Sequence, residues 1–146
     1  VDWVNTAGRL EHTGSAPDEY TTSIVGNRTV QFIQQYAGRR PFFVAAGTRA
    51  PHAPYTPAPW YSQAFGNVTA RRTPAFGNVG QGKVTWIADL PPYSTSELTE
   101  LDDTYRNRWR TLLSVDDLVA GVVQALEQAG VLDKTFIFYT SELVEQ

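Results

Sequence analysis

The spacing of hydrophobic positions changes along the chain, and each change marks an expected element. Residues 1–19 show no clear period and read as loop, with a short strand at Trp3-Val4. From Tyr20 to Tyr36, the positions Ile24, Val25, Phe32, Ile33 and Tyr36, with Thr29 between them, recur at three, four and seven residues. That spacing predicts a helix with one apolar face. Asp18 suits its N-cap and Gly38 the position just past its last turn. Phe42 to Ala46 is a short apolar run without alternation. It predicts a strand buried on both faces, as in a parallel sheet. Residues 61–93 form a long connection containing a small echo, Ala64-Phe-Gly-Asn-Val68 and Ala75-Phe-Gly-Asn-Val79. Connections of this length often carry function. Trp86-Ile87 is expected to dock the connection on the body, and Arg71-Arg72 to stay solvated. Ser94-Thr95-Ser96-Glu97 then fits a capping box. After it Leu98, Leu101, Tyr105, Trp109, Leu112, Val115, Val119, Val122 and Leu126 step by three or four residues up to Gly130. The helix is expected to be ~50 Å long if unbroken, with Ser114-Val115-Asp116-Asp117 as an open place for a kink. Arg106, Arg108 and Arg110 do not share one helix face and read as mostly solvated. Thr135 to Tyr139 is β-branched and aromatic, the composition of a second buried strand.

Two such strands with a long helix between them predict a parallel βαβ unit with a right-handed crossover. Parallel strands put their carboxyl ends on one edge, where open α/β sheets build their sites. The loop after residue 46 and the tail at Ser141-Glu142 should therefore emerge together. A parallel sheet covered on both faces needs more strands and helices than this chain supplies. The 146 residues are accordingly expected to be a slice of a larger α/β domain.

Composition narrows the chemistry. Hydrophobic content of 42% with 18% charged residues is that of a globular chain. A net charge of −3 leaves no electrostatic footprint for nucleic acid. No apolar run is long enough to span a bilayer. The absence of methionine suggests a processed product or a fragment, and the absence of cysteine removes thiolate metal sites and a cysteine nucleophile from this stretch. Asn27-Arg28-Thr29 and Asn67-Val68-Thr69 are sequons, able to carry glycan at Asn27 and Asn67 if the chain enters a secretory pathway. His12, beside Glu11 in polar surroundings, reads as solvated. The candidate chemistry lies in the loop from Gly47 to Trp60, which holds Arg49 and His52 between prolines 51, 54, 57 and 59. Each proline fixes φ and restricts its predecessor, so the loop is stiff. From pattern alone, the same stretch also fits an ordinary proline-rich surface connection with a solvated histidine.

The order Tyr20-Thr-Thr, Pro41-Phe-Phe, Ala50-Pro-His-Ala-Pro-Tyr-Thr-Pro-Ala-Pro59, Tyr105 to Val119 (with Ser114-Val-Asp-Asp-Leu-Val119) and Gly130-Val-Leu-Asp-Lys-Thr-Phe-Ile-Phe-Tyr-Thr-Ser141 resembles the central part of a sulfatase. The likeness is above all to N-acetylglucosamine-6-sulfatases and the arylsulfatases of green algae. It implies an alkaline-phosphatase-like α/β fold, with residues 1–146 as a central fragment of the N-terminal catalytic domain. It implies hydrolysis of sulfated sugars or aryl sulfates, by a formylglycine made from cysteine and with calcium polarising the sulfate. It gives His52 the role of a hydrogen-bond donor to the sulfate or to the leaving oxygen, with Arg49 as a neighbouring fixed charge. It also implies a secreted, cell-wall or periplasmic, or lysosomal location. The departures are plain. The cysteine motif is absent, and Glu142-Leu143 stands where the family has a calcium-ligating Asp-Asn pair. The chain alone is expected to be inactive and to lack the remainder of its own domain. A non-catalytic remnant that still binds sulfated glycans is the competing reading.

Overall fold

The computed structural model describes residues 16–78 and 82–141, together with the backbone of 2–4 and 10–12. Its body is a pair of helices. Helix α1 spans Thr21–Tyr36, and helix α3 spans Thr95–Gln128 without interruption, so the kink left open at residues 114–117 does not form. A four-residue turn of helix, α2 (Thr85–Ala88), lies in the connection between them. Near the start of the chain, β1 (Asp2–Val4) pairs antiparallel with β2 (Leu10–His12), in the register Trp3 opposite Glu11. The short strand at Trp3-Val4 is thus present, with a partner that its unpatterned surroundings had concealed.

Local chemistry explains where the helices start and stop. At α3 the Ser94 Oγ accepts from Glu97 N at 3.3 Å, while the Glu97 carboxylate accepts from Ser94 N at 2.7 Å. Two otherwise unpaired amides are satisfied at once, as a capping box requires. Those bonds hold the Glu97 carboxyl below the usual range, first through the Ser94 hydroxyl and then through its amide. At the other end Gly130 adopts φ +64°. Val131 N then reaches Leu126 O at 3.1 Å and Gly130 N reaches Glu127 O at 2.9 Å. This is a Schellman closure, which needs a residue tolerant of the left-handed region. Helix α1 is capped differently from expectation. Its N-cap is Tyr20, with no side-chain hydrogen bond, and Asp18 lies in the turn before it. Gly38, at φ +73°, follows the last turn as expected.

The core lies between α1 and α3, around Ile33, Ala125 and Leu126, with Val30, Phe42, Val122, Val131 and Leu132 against it. The face that α3 turns inward takes only Val115 and Leu126 as buried members of the stripe read from the sequence, with Val122 packed against the core. Its buried positions are Thr111, Ser114, Val115, Ala125 and Leu126. Small residues let the helices approach closely: a Cβ added to Gly26 would stand 3.3 Å from Leu118 Cγ. The bulky members Trp109, Leu112 and Val119, with Leu113, Phe65 and Tyr139, instead line an open groove of about 660 Å³.

Among the described residues the parallel βαβ unit is not seen. Residues 42–46 and 135–140 are extended but pair with no strand, and among the described residues the one sheet is β1–β2. Phe42 packs edge-on to Phe32 of α1, with ring centroids 6.1 Å apart, whereas Phe43 is 88% exposed. Phe136 and Phe138 are 89% and 87% exposed. The physical reason is that a strand satisfies its backbone only through neighbours on either side, and none stands beside these segments.

The connection 61–78 is held to α3 by arginines rather than by Trp86, which is 74% exposed. Arg106 donates to Val68 O at 2.9 Å and pairs with Asp103. Arg110 donates to Ala64 O at 2.7 Å and to Asn107 Oδ1 at 2.9 Å. These two arginines, one helical turn apart, thus grip the first and last carbonyls of the Ala64–Val68 echo. Arg72 pairs with Asp102 at 2.8 Å and lies over the Phe76 ring. The arginines read as solvated are therefore largely engaged. Long side chains leaving α3 in different directions can hold a loop that wraps the helix, a relation invisible to helical spacing.

Candidate functional site

The loop carrying Arg49 and His52 runs from the end of the extended segment to Trp60. It makes two successive turns, closed by His52 N on Arg49 O at 2.8 Å and by Tyr55 N on His52 O at 3.2 Å. The Ala50-Pro51 and Ala53-Pro54 peptides are cis, and Tyr55 has φ +55°. Three contacts from the helices fix this loop. Tyr20, at the N-cap of α1, donates its hydroxyl to Thr56 O at 3.1 Å and meets Trp60 edge-on at 5.7 Å. From α3, the Arg108 guanidinium stands over the Tyr55 ring, 5.7 Å from its centroid. Tyr61, just beyond the loop, donates its hydroxyl to the Asp117 carboxylate at 2.8 and 3.0 Å. Burial pushes the Tyr20 phenol above its ordinary pKa, and the bond to Asp117 does the same for Tyr61. Both phenols therefore stay protonated donors across the neutral range.

Arg49 and His52 are both exposed and stand at the two ends of one turn. The His52 Nδ1 lies 2.8 Å from Ala53 O. A carbonyl only accepts, so this contact assigns the proton to Nδ1 and leaves Nε2 facing outward. In that tautomer Nε2 is an acceptor; once the ring is protonated it becomes a charged donor. No described residue holds the Arg49 guanidinium in an ion pair. The turn thus presents an imidazole and a guanidinium to solvent.

The other sequence candidates fall elsewhere. Asn27 is exposed on α1, while its sequon partner Thr29 is buried and donates to Val25 O at 2.8 Å. Asn67 and Thr69 are exposed in the connection gripped by Arg106 and Arg110. Strand β2 includes His12, whose side chain lies outside the described residues, as does Glu142. No helix among the described residues is long and apolar enough to cross a membrane. What sequence reasoning missed is the anchoring set of Tyr20, Arg108 and Asp117. Their spacing along the chain gives no signal that they converge on the loop.

A family model for sulfatases matches residues 3–142. The chain belongs to the sulfatase family. Sulfatases hydrolyse sulfate esters, and membership implies the alkaline-phosphatase-like α/β fold. The chain is 42% identical over 125 residues to a human N-acetylglucosamine-6-sulfatase, covering 85% of this chain and 23% of that protein. It is 30% identical to an arylsulfatase of Volvox carteri, covering 86% of this chain and 23% of that one. It is likewise 30% identical to an extracellular sulfatase of Drosophila melanogaster, covering 92% of this chain and 12% of that protein. The chain thus spans less than a quarter of the length of these three relatives. No solved structure matches it. Sulfatases use calcium, but among the described residues no group of three or more Asp, Glu or His side chains could hold a metal ion. Three of the carboxylates on α3 are committed elsewhere: Asp102 and Asp103 to arginines, Asp117 to Tyr61. The described residues therefore do not fit calcium.

Proposed function

We propose that this chain is the central part of the N-terminal catalytic domain of a sulfatase that acts on sulfated sugars or aryl sulfates. In this reading His52 and Arg49 contact the sulfate ester. The single observation that supports it is the His52 turn: an exposed imidazole whose Nδ1 contacts Ala53 O, beside an Arg49 guanidinium in no ion pair with a described residue, on a loop held from both helices. A protonated His52 would offset sulfate charge and donate from Nε2 to the ester or leaving oxygen. A donor already in place needs no reorganisation as charge develops. Arg49 would supply a fixed charge and forked donors.

The nucleophile and calcium ligands would come from parts of the domain beyond these residues, since the chain holds no cysteine. On its own it would be inactive. The sequons and the extracellular relative support a secreted or lysosomal location, with glycan at Asn27 and Asn67. The test is sulfate release from N-acetylglucosamine 6-sulfate and from an aryl sulfate by the full-length protein. Replacing His52→Ala should lower kcat by about 10²–10⁴-fold, the usual contribution of a positioned proton donor. An unchanged kcat removes His52 from the reaction. A full-length protein that binds sulfated oligosaccharide but never cleaves it supports the non-catalytic remnant instead.

A further inference from the structure

We infer that an ordered water site is built into the seam between α1 and α3, held by Ser114. A cleft of about 120 Å³ opens there, walled by Thr22, Ser23 and Asn27 of α1 and by Ser114 and Asp117 of α3. Ser114 is 3% exposed, and its Oγ is the one buried side-chain polar atom among the described residues that has no hydrogen-bond partner. A helical serine or threonine normally returns its proton to a carbonyl three or four residues back. Thr29 does so onto Val25 O at 2.8 Å, and Thr111 onto Arg108 O at 2.7 Å. Ser114 does not. The Tyr20 phenol lies close enough to Ser114 to feel it, yet it donates to Thr56 O and stands outside hydrogen-bond geometry with Ser114.

The walls select the occupant. No cationic side chain lines the cleft, so it is not built for an anion. It holds a single carboxylate, Asp117, which already accepts the Tyr61 hydroxyl on both oxygens, so a cation would find few ligands. Val30 and Leu118 complete the wall, but an apolar molecule there would leave the buried Ser114 hydroxyl without a partner. Water needs a polar space larger than one probe sphere and two to four partners. The Ser114 hydroxyl, the remaining lone pairs of Asp117 and the Asn27 amide meet that need. Gly26 and Gly121 line the same cleft, and no side chain from either fills it.

The site also touches function through its neighbours. Thr22 lies two residues beyond Tyr20, which holds Thr56 of the His52 loop, and Asp117 holds Tyr61 just beyond that loop. Water here would tie together the two helices that carry the loop's anchors.

The test is a crystal structure of the full-length protein that shows ordered solvent, solved beside Ser114→Ala. The expected result is a solvent peak within hydrogen-bond distance of Ser114 Oγ and of Asp117 or Asn27, lost in Ser114→Ala with both helices in place. A dry cleft, Ser114 bonded instead to Tyr20 or a carbonyl, a peak unchanged in Ser114→Ala, or a peak with the short multiple contacts of a cation would each overturn it. If Ser114→Ala does not fold, Ser114→Thr keeps the hydroxyl and must keep the peak; its loss there overturns the site as well.

Discussion

The seam between α1 and α3 and the two apolar segments, 42–46 and 135–140, both carry large hydrophobic side chains and have opposite fates. In the seam, Ile33 and Leu126 are each 1% exposed. In the segments, Phe43, Phe136 and Phe138 are almost wholly exposed. The difference lies in where each element finds its hydrogen bonds. A helix satisfies its backbone within itself, so α3 needs only α1 and a cap at each end. An extended segment needs neighbours in the sheet direction, and burial of its side chains comes only with those neighbours. Helices α1 and α3 are complete in themselves, whereas residues 42–46 and 135–140 have no strand beside them among the described residues.

The largest test of that contrast is cooperativity. The isolated 146-residue chain is expected to show helical circular dichroism that melts gradually, without a single sharp transition. A cooperative two-state transition, coincident by different probes, would mean that residues 42–46 and 135–140 are already accommodated, and the contrast would fail.

A finer test separates the two regions by mutation. Leu126→Ala removes a fully buried side chain from the seam and should cost about 2–5 kcal/mol in a longer chain bearing the rest of the family domain. It should also lower the helical signal of the isolated chain. Phe136→Ala should leave the isolated chain within about 0.5 kcal/mol of unchanged, as at any exposed site. In the longer chain it should cost about 3–5 kcal/mol, the usual loss for a core phenylalanine. Equal indifference in both chains would show that residues 135–140 have no sheet to join.

The same contrast explains what could be read from the sequence. The capping box at Ser94–Glu97, the closure at Gly130 and the extent of both helices were legible, because their determinants lie within a few residues of one another. The βαβ unit was not, because strand pairing depends on segments distant in the chain. The inward face of α3 was legible only in part, at Val115 and Leu126. Size and apolarity pointed to Trp109 and Val119, but close helix approach selects small side chains such as Ser114 and Ala125. At the site, the family likeness singled out His52, and the Pro-rich spacing implied a stiff loop. The anchors Tyr20, Arg108 and Asp117 were unreadable for the same reason as the arginine clasp. A long side chain finds its partner 30 to 56 residues away, and no local pattern records it.

That clasp is an intermediate case, a loop held neither by apolar burial nor by a ladder, and acid should loosen it. Asp102 accepts from Ala70 N at 2.8 Å and from Arg72 at 2.8 Å. The Ala70 amide first, and then the Arg72 guanidinium, holds its carboxyl below the usual range against the opposing effect of burial. A pKa lowered by folding stabilises the native clasp above the unfolded value of about 3.9 and loses that contribution as pH falls through the folded value. The Ala70 amide proton should therefore titrate in NMR with a midpoint below that value. Its protection from exchange should fall as the clasp opens. Asp102→Asn should abolish the titration and free Arg72 from its ion pair at neutral pH, while the helical signal of the α1–α3 seam stays in place. A midpoint at the unperturbed value, or a seam that melts together with the clasp, would show that the connection and the helices form one unit rather than a body with a loop fastened to it.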